Sequence, residues 1–303
     1  MINVLVIDDS AVMRAFLSQV IGAQPDMQLA GVVSDPLLAI ERIRRTAPDV
    51  ITLDVEMPRM NGLDFLRKLM AVRPLPVIMI SSLTQQGADA TFRALELGAV
   101  DFFPKPASLE ELAKVSGDIA ERIRGAAQAR VARVPAAVQP TQARGVPQLA
   151  RLHAASGAII GIGASTGGVE ALRAILTELP AQMPPILVAQ HMLSGFTDTF
   201  ARRLDAISDL SVRQACDGEE AVHGTVYVAP GGRHLQLERL SGRYVLRVNA
   251  DPPVNRHRPS VDALFMSMAR SAGSQAIGLL LTGMGADGAE GLLQMRHAGA
   301  LTL

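Results

Sequence analysis

"GIGASTGG", Gly161 to Gly168, follows the apolar run Ala158-Ile159-Ile160 and leads into a helical pattern. A strand, a glycine turn and a helix in that order are the unit of a parallel α/β sheet. The serine inside the turn admits three physical readings: a phosphate cradle, an exposed nucleophile, or a tight strand-to-helix connection. The phosphate readings fail on detail. A G-x-G-x-x-G fingerprint would place its third glycine at Thr166. A P-loop starting at Gly163 would need Lys and Ser or Thr after Gly168, where the chain has Val169 and Glu170. The nucleophile frame G-x-S-x-G does fit, as Gly163-Ala164-Ser165-Thr166-Gly167. Glycines let the turn push the hydroxyl outward, and the following helix aims N–H groups at developing negative charge. At this point the nucleophile and the plain connection both stand.

The same rhythm extends in both directions. Before residue 125, apolar runs at 3–7, 29–33, 50–53, 77–80 and 100–103 read as strands. Amphipathic segments at 11–21, 36–46, 63–72, 87–97 and 109–124 read as helices. Five βα units predict a doubly wound parallel sheet. Residues 158–162, 186–189 and 277–281 read as buried strands of a second, Rossmann-like α/β sheet, with helices at 169–179, 196–207, 261–272 and 287–298. Between 211 and 248, "GTVYVAPGG" and "LSGRYVLRV" alternate and turn like hairpins, which predicts a β-rich insertion. The stretch 125–156 is rich in Ala, Gln, Arg and Pro. No acidic residue occurs between Glu121 and Glu170, and Pro135, Pro140 and Pro147 interrupt any helix. It reads as a basic linker, so the expected organisation is a first domain at 1–124, a linker at 125–156 and a second domain at 157–303.

The 303 residues are 49% hydrophobic, and 29 basic residues balance 29 acidic ones. A neutral chain gives no electrostatic case for nucleic acid or a membrane surface. No apolar run approaches the roughly 18 residues of a membrane span. The N-terminus lacks the basic lead and cleavage site of a signal peptide, so a cytoplasmic protein is expected. Cys216 is the single cysteine, and no catalytic motif surrounds it; it reads as a small buried hydrophobe.

In the first block, Asp8 and Asp9 end one strand, Asp54 another, Ser81 a third, and Lys105 follows the fifth. Carboxyl ends of parallel strands form the ligand crevice. A single acid there would read as a helix cap. Three carboxylates together need a cation, and oxygen ligands beside a phosphate suit Mg²⁺. These residues resemble the response-regulator receiver domain, through "VLVIDDS", "LDVEMPRMNG", "VIMISS" and "DFFPKP". The resemblance implies that Asp54 accepts a phosphoryl group from a histidine kinase. It implies that Asp8, Asp9, Asp54 and the Glu56 backbone carbonyl serve Mg²⁺, that Ser81 and Lys105 hold phosphoryl oxygens, and that Phe102 is the switch aromatic.

In the second block a nucleophile at Ser165 needs a base and an orienter. His191 follows the strand run "ILVAQ", and Asp287 follows a buried strand in "LLLTGMGADG", so all three are expected in one crevice. The order Ser…His…Asp disfavours the α/β-hydrolase fold. His223, His234, His257 and His297 have no comparable placement and read as structural or surface residues, and His153 lies in the linker. No histidine pair has zinc-site spacing. "GIGASTGG", "QHM", "APGGRHL", "HRPSVDALF" and "LTGMGADGAEGL" resemble the chemotaxis protein-glutamate methylesterases, as does the order receiver, linker, esterase. The resemblance implies a triad of Ser165, His191 and Asp287, with Thr166 beside the nucleophile and the backbone of Met284 and Gly285 contributing to an oxyanion hole.

It also implies a phosphorylation-activated hydrolase that removes methyl esters from chemoreceptor glutamates and deamidates receptor glutamines. By the same resemblance, the receiver packs near the catalytic crevice until Asp54 is phosphorylated. The implied partners are chemoreceptors (methyl-accepting chemotaxis proteins) and a histidine kinase, with Mg²⁺ for the receiver and no cofactor for ester hydrolysis. The alternative is a non-catalytic response regulator whose second domain only binds a receptor or partner. The chain stops at "GALTL", where the resemblance implies further elements. The C-terminal end of the catalytic domain is therefore expected to be missing, with 300–303 reading as the start of a strand.

Overall fold

The first four strands of the first sheet are short runs rich in β-branched and aliphatic residues, and the fifth is Asp101-Phe102-Phe103-Pro104. The first four helices each begin on a polar cap. The computed structural model describes residues 1–82, 84–106, 109–129, 131, 157–283 and 285–303. The chain divides into two units, Met1–Val138 and Gln139–Leu303.

In the first unit, β1 (Ile2–Ile7), β2 (Met27–Val33), β3 (Val50–Asp54), β4 (Val77–Ser81) and β5 (Asp101–Pro104) form a parallel sheet in the order β2-β1-β3-β4-β5. The central strands β3 and β4 are buried along their whole length, as strands covered on both faces must be. The connecting helices are α1 (Ala11–Gly22), α2 (Pro36–Thr46), α3 (Gly62–Val72), α4 (Gln85–Glu96) and α5 (Leu109–Gln128). Ser10, Asp35, Asn61 and Thr84 cap the first four, each accepting from a backbone N–H of the first turn. Helices α1 and α5 share one core with Val4, Val6, Val50, Ile78 and Ile80. Helix α5 runs four residues into the stretch expected to be linker, because Gly125–Gln128 contains no proline and Ala126 is buried in that core. Most of the expected linker, residues 130 and 132–156, lies outside the described residues.

In the second unit the strands are β6 (Ile159–Ala164), β7 (Ile186–Gln190), β8 (Ser211–Gln214), β9 (Thr225–Val228), β12 (Ala276–Leu280) and β13 (Leu301–Thr302). They pair in the order β13-β12-β6-β7-β9-β8, every pair parallel. The helices are α6 (Gly168–Leu176), α7 (Thr197–Asp205), α8 (Val261–Ser271) and α9 (Ala289–His297).

Two expectations change here. "GTVYV" is not hairpin material. It is β9, a fully buried parallel strand between β7 and β8, and burial on both faces is what its apolar residues satisfy. The hairpin is β10 (His234–Leu240) with β11 (Arg243–Asn249), an antiparallel pair turning at Ser241-Gly242, both at positive φ. Cys216 is exposed rather than buried, because it sits in the loop between β8 and β9.

The hairpin packs Leu235, Leu237 and Leu246 into one core with Leu264, Phe265 and Met268 of α8. The Ser267 hydroxyl accepts from the Leu237 N–H at 2.8 Å, and the Ser271 hydroxyl donates to the Leu237 carbonyl at 2.8 Å. The hairpin thereby anchors α8, and the first residues of α8 reach the site described next.

Candidate active site

Ser165 follows β6, His191 follows β7, and Asp287 lies beyond β12, so the parallel sheet delivers all three to one edge, where the strand order reverses. Asp287 is not the first residue of the helix, as expected from sequence. Helix α9 starts at Ala289, and Gly288 at φ 100° separates the two. The turn after β6 is held from several sides. The Ser165 N–H donates to the Thr282 carbonyl at 3.0 Å, and the Gln190 amide donates to the Ser165 carbonyl at 2.9 Å. The backbone of 282–283 passes so close that a Cβ on Gly283 would lie 2.7 Å from Ser165 Cβ, so only glycine fits there.

His191 Nδ1 is 3.1 Å from Ser165 Oγ, and His191 Nε2 is 2.7 Å from Asp287 Oδ2. An ionised carboxylate only accepts, so Nε2 carries the ring proton and Nδ1 is left as the acceptor facing the serine hydroxyl. Asp287 receives more than the histidine. Asn255 donates to Oδ1 at 2.9 Å, the Ser260 hydroxyl to Oδ1 at 2.7 Å, and the Val261 N–H to Oδ2 at 2.7 Å. Burial alone would push this carboxyl up. The His191, Asn255, Ser260 and Val261 donors outweigh it and hold Asp287 well below the usual carboxylate range.

The sequence reading missed Asn255, Ser260 and the N-terminus of α8. It also set His257 aside, yet the His257 ring stacks on His191 at 3.9 Å and 1°. "HRPS" held the signal for two of these, a histidine and a helix-capping serine in one short motif. The atoms of His191, His257 and Asp287 are close enough to suggest a metal group. Two parallel rings 3.9 Å apart cannot both present an in-plane lone pair to one ion, so the arrangement does not suit a shared metal.

A cavity of about 150 Å³ opens over Ser165, His191 and Asp287, walled by Thr282, Gly283 and Gly285. Its size suits the end of a side chain. Thr166 is buried, and its carbonyl accepts from the Thr282 hydroxyl at 3.1 Å. Met284, expected beside the oxyanion, lies outside the described residues.

At the carboxyl edge of the first sheet, Asp8 and Asp54 are fully buried and Asp9 is exposed. Lys105 Nζ lies 2.6 Å from Asp54 Oδ2 and 3.8 Å from Asp8 Oδ1. Burial pushes Asp54 up to about 6, against the Lys105 hydrogen bond that lowers it and with the Asp8 charge that raises it further. Burial likewise pushes Asp8 up. The Glu56 N–H donates to Asp54 Oδ1 at 3.1 Å. The Ser81 hydroxyl turns to the Gly87 carbonyl at 3.0 Å. Phe102 is buried, edge-on to Phe92 at 6.2 Å. Carboxylate oxygens of Asp8, Asp9 and Asp54 lie within 4.8 Å of one another, and Asp8 Oδ2 is buried with no hydrogen-bond partner among the described residues. An oxygen-only cluster with an unsatisfied buried oxygen fits a hard divalent cation.

Residues 160–303 match the CheB methylesterase family, and residues 4–116 match the response regulator receiver domain. A protein-glutamate methylesterase/protein-glutamine glutaminase of Chromohalobacter salexigens is 54% identical, over 100% of this chain and 85% of that one. One of Bordetella pertussis is 52% identical, over 100% of this chain and 86% of that one. Among solved structures, the Thermotoga maritima CheB methylesterase catalytic domain is 42% identical over 49% of this chain and 79% of its own, with a TM-score of 0.48. The response regulator domain of Thermotoga maritima CheB is 46% identical over 43% of this chain and 98% of its own, with a TM-score of 0.40.

Proposed function

The chain belongs to the CheB methylesterase family, and from that premise we propose that it hydrolyses glutamyl methyl esters of chemoreceptors, and deamidates receptor glutamines, under control of its receiver. The observation that carries the reading is the hydrogen-bonded line Ser165–His191–Asp287 above a cavity sized for a side-chain terminus. Ser165 Oγ attacks the ester carbonyl carbon while His191 Nδ1 takes the hydroxyl proton. The bond to the methoxy oxygen breaks, and His191 returns the proton to leaving methanol. Water then attacks the acyl-enzyme, giving one proton to His191. The bond to Ser165 Oγ breaks, Ser165 takes that proton, and the free glutamic acid side chain loses its own proton to solvent as the carboxylate. With a glutamine side chain the same steps release ammonia. Asp287 keeps the Nε2–H tautomer and stabilises the imidazolium without being protonated. Its depressed pKa keeps it ionised throughout the working range, so the acid limb of the pH–rate profile does not belong to it. The test is methanol release from methylated receptor, with and without a phosphodonor. No release in either condition would favour a binding-only second domain.

Ser260 is a positioning residue in this reading, since it touches Asp287 rather than substrate. Ser260→Ala removes one hydrogen bond to a charged acceptor. It also removes the cap that accepts from the Ala263 N–H at 3.3 Å. The expected result is a fall in kcat of about tenfold with little change in KM. A melting temperature lowered by the loss of about 1 kcal/mol is expected with it. A raised KM with unchanged kcat would contradict the assignment.

In the receiver, Asp54 is the phosphoryl acceptor of this proposal and Lys105 its charge partner. Asp8, Asp9 and Asp54 would hold Mg²⁺, which supplies charge neutralisation at the transferring group when bound. Asp8→Asn should raise the Mg²⁺ concentration for half-saturation by at least about tenfold, since a buried anionic ligand becomes neutral. Calorimetric titration of Mg²⁺ into the full chain reads this without phosphoryl transfer, and an unchanged affinity would remove Asp8 from the site. A tenfold activation on phosphorylation needs a bias of only about 1.4 kcal/mol. A few charge-assisted hydrogen bonds to a phosphoryl group supply that much.

A further inference from the structure

Away from the phosphoryl site, α2 and α3 enclose a groove of about 390 Å³. Its floor is Ile43, Phe65 and Leu69, which belong to the buried core. Its walls are Leu37, Ile40 and Val72, with 54%, 42% and 77% of their surface exposed. Helix α2 therefore carries apolar residues beyond the stripe that Ala39 and Ile43 already bury against the sheet. Exposed aliphatic groups clustered around a concave surface mark an interaction site more often than scattered ones do. Arg44, Lys68 and Arg73 form the rim, all exposed, and among the described residues no carboxylate lines the groove. The acids on the same helices are engaged elsewhere, Asp64 with Arg67 and Glu41 with Arg45.

The charge of the rim decides among occupants. The chain's own basic stretch after Glu121 has arginines and no acidic residue up to Glu170, so it is repelled. A second copy meeting this one through the same face would set cationic rim against cationic rim. An acidic segment with large apolar side chains satisfies both the floor and the rim, in the manner of an amphipathic helix laid in a groove.

We propose that the α2–α3 groove of the receiver is a docking site for an acidic amphipathic segment of a partner protein. This proposal is independent of the esterase chemistry. The probe is a fluorescein-labelled 18-residue peptide with Leu and Phe on one helical face and Glu on the other, titrated with the full chain in an anisotropy assay. Saturable binding is expected, weakening with added salt. The same peptide with Lys in place of Glu should bind at least about tenfold more weakly. Val72→Glu, and separately Arg44→Glu with Lys68→Glu, should each weaken the acidic peptide by about tenfold or more. These side chains are exposed, and retained phosphoryl labelling at Asp54 would show that each variant is folded. Three results would overturn the proposal: equal affinity for the two peptides, variants that bind like the wild type, or no saturable binding. Concentration-dependent dimerisation abolished by Val72→Glu would also overturn it, by making a second copy the occupant.

Discussion

Replacing Ser165 with alanine leaves a folded protein whose methanol release falls by about 10⁴-fold or more. The loss is large because, among the described residues, Ser165 supplies the hydroxyl that faces His191 Nδ1. Ser165 Oγ is 3.1 Å from that nitrogen, whereas the adjacent Thr166 is buried and the Thr282 hydroxyl, in the same cavity, donates to the Thr166 carbonyl. The fold is unaffected because the turn is held by backbone groups. The Ser165 N–H and carbonyl make their hydrogen bonds to Thr282 and Gln190 whatever the side chain is. Release of methanol from methylated receptor, with circular dichroism as the control for folding, is the measurement. A Ser165→Ala protein with near-normal release would remove the serine from the chemistry and with it the whole esterase mechanism. A residual rate above that of water is expected from substrate binding in the cavity alone.

Asp54→Asn abolishes acyl-phosphate formation and raises the stability of the receiver at neutral pH. The first effect is chemical, since an amide is a poor nucleophile toward phosphorus and the cation cluster loses a charge. The second follows from the electrostatics. Burial and the Asp8 charge raise the Asp54 pKa from 3.8 to about 6 despite the 2.6 Å contact with Lys105. A carboxyl whose folded pKa lies above its unfolded value binds more protons in the folded state. Its contribution to stability therefore falls as pH rises from 3.8 towards about 6, and the penalty is fully present above that. Asparagine has nearly the same shape and never ionises, so it removes the penalty. Labelling with a small acyl-phosphate donor in Mg²⁺ should show no incorporation. Calorimetry without divalent cations should show a higher receiver melting temperature at pH 7 than the wild type, with the difference shrinking towards pH 4. Equal labelling would move the acceptor elsewhere, and a lower melting temperature would mean that the Lys105 contact outweighs the desolvation of Asp54.

Much of this architecture is legible without a structure, for a reason that lies in parallel sheets. Every βα unit returns its strand in the same direction, so residues that end apolar runs must gather on one edge. Asp8, Asp54, Ser81 and Lys105 in one block, and Ser165, His191 and Asp287 in the other, could be placed together from their positions after strand-like runs alone. Length and periodicity were sufficient for that. They were not sufficient for β9, because a four-residue run between turns looks the same whether it pairs with its neighbour in sequence or enters a distant slot between β7 and β8.

Nor could spacing reveal what holds the site in place. Asn255, Ser260 and the Val261 N–H lie 32, 27 and 26 residues from Asp287, in a loop and a helix start that carry no repeat or pattern linking them to it. They meet the carboxylate because the β10–β11 hairpin packs on α8 and fixes where that helix begins. Only the folded chain decides which nitrogen of His191 faces the serine, that His257 stacks on its ring, and that Asp8 keeps an oxygen buried without a hydrogen-bond partner among the described residues. Strand ends are a property of order along the chain. Donor sets, ring orientations and desolvation are properties of packing between segments that the order does not relate.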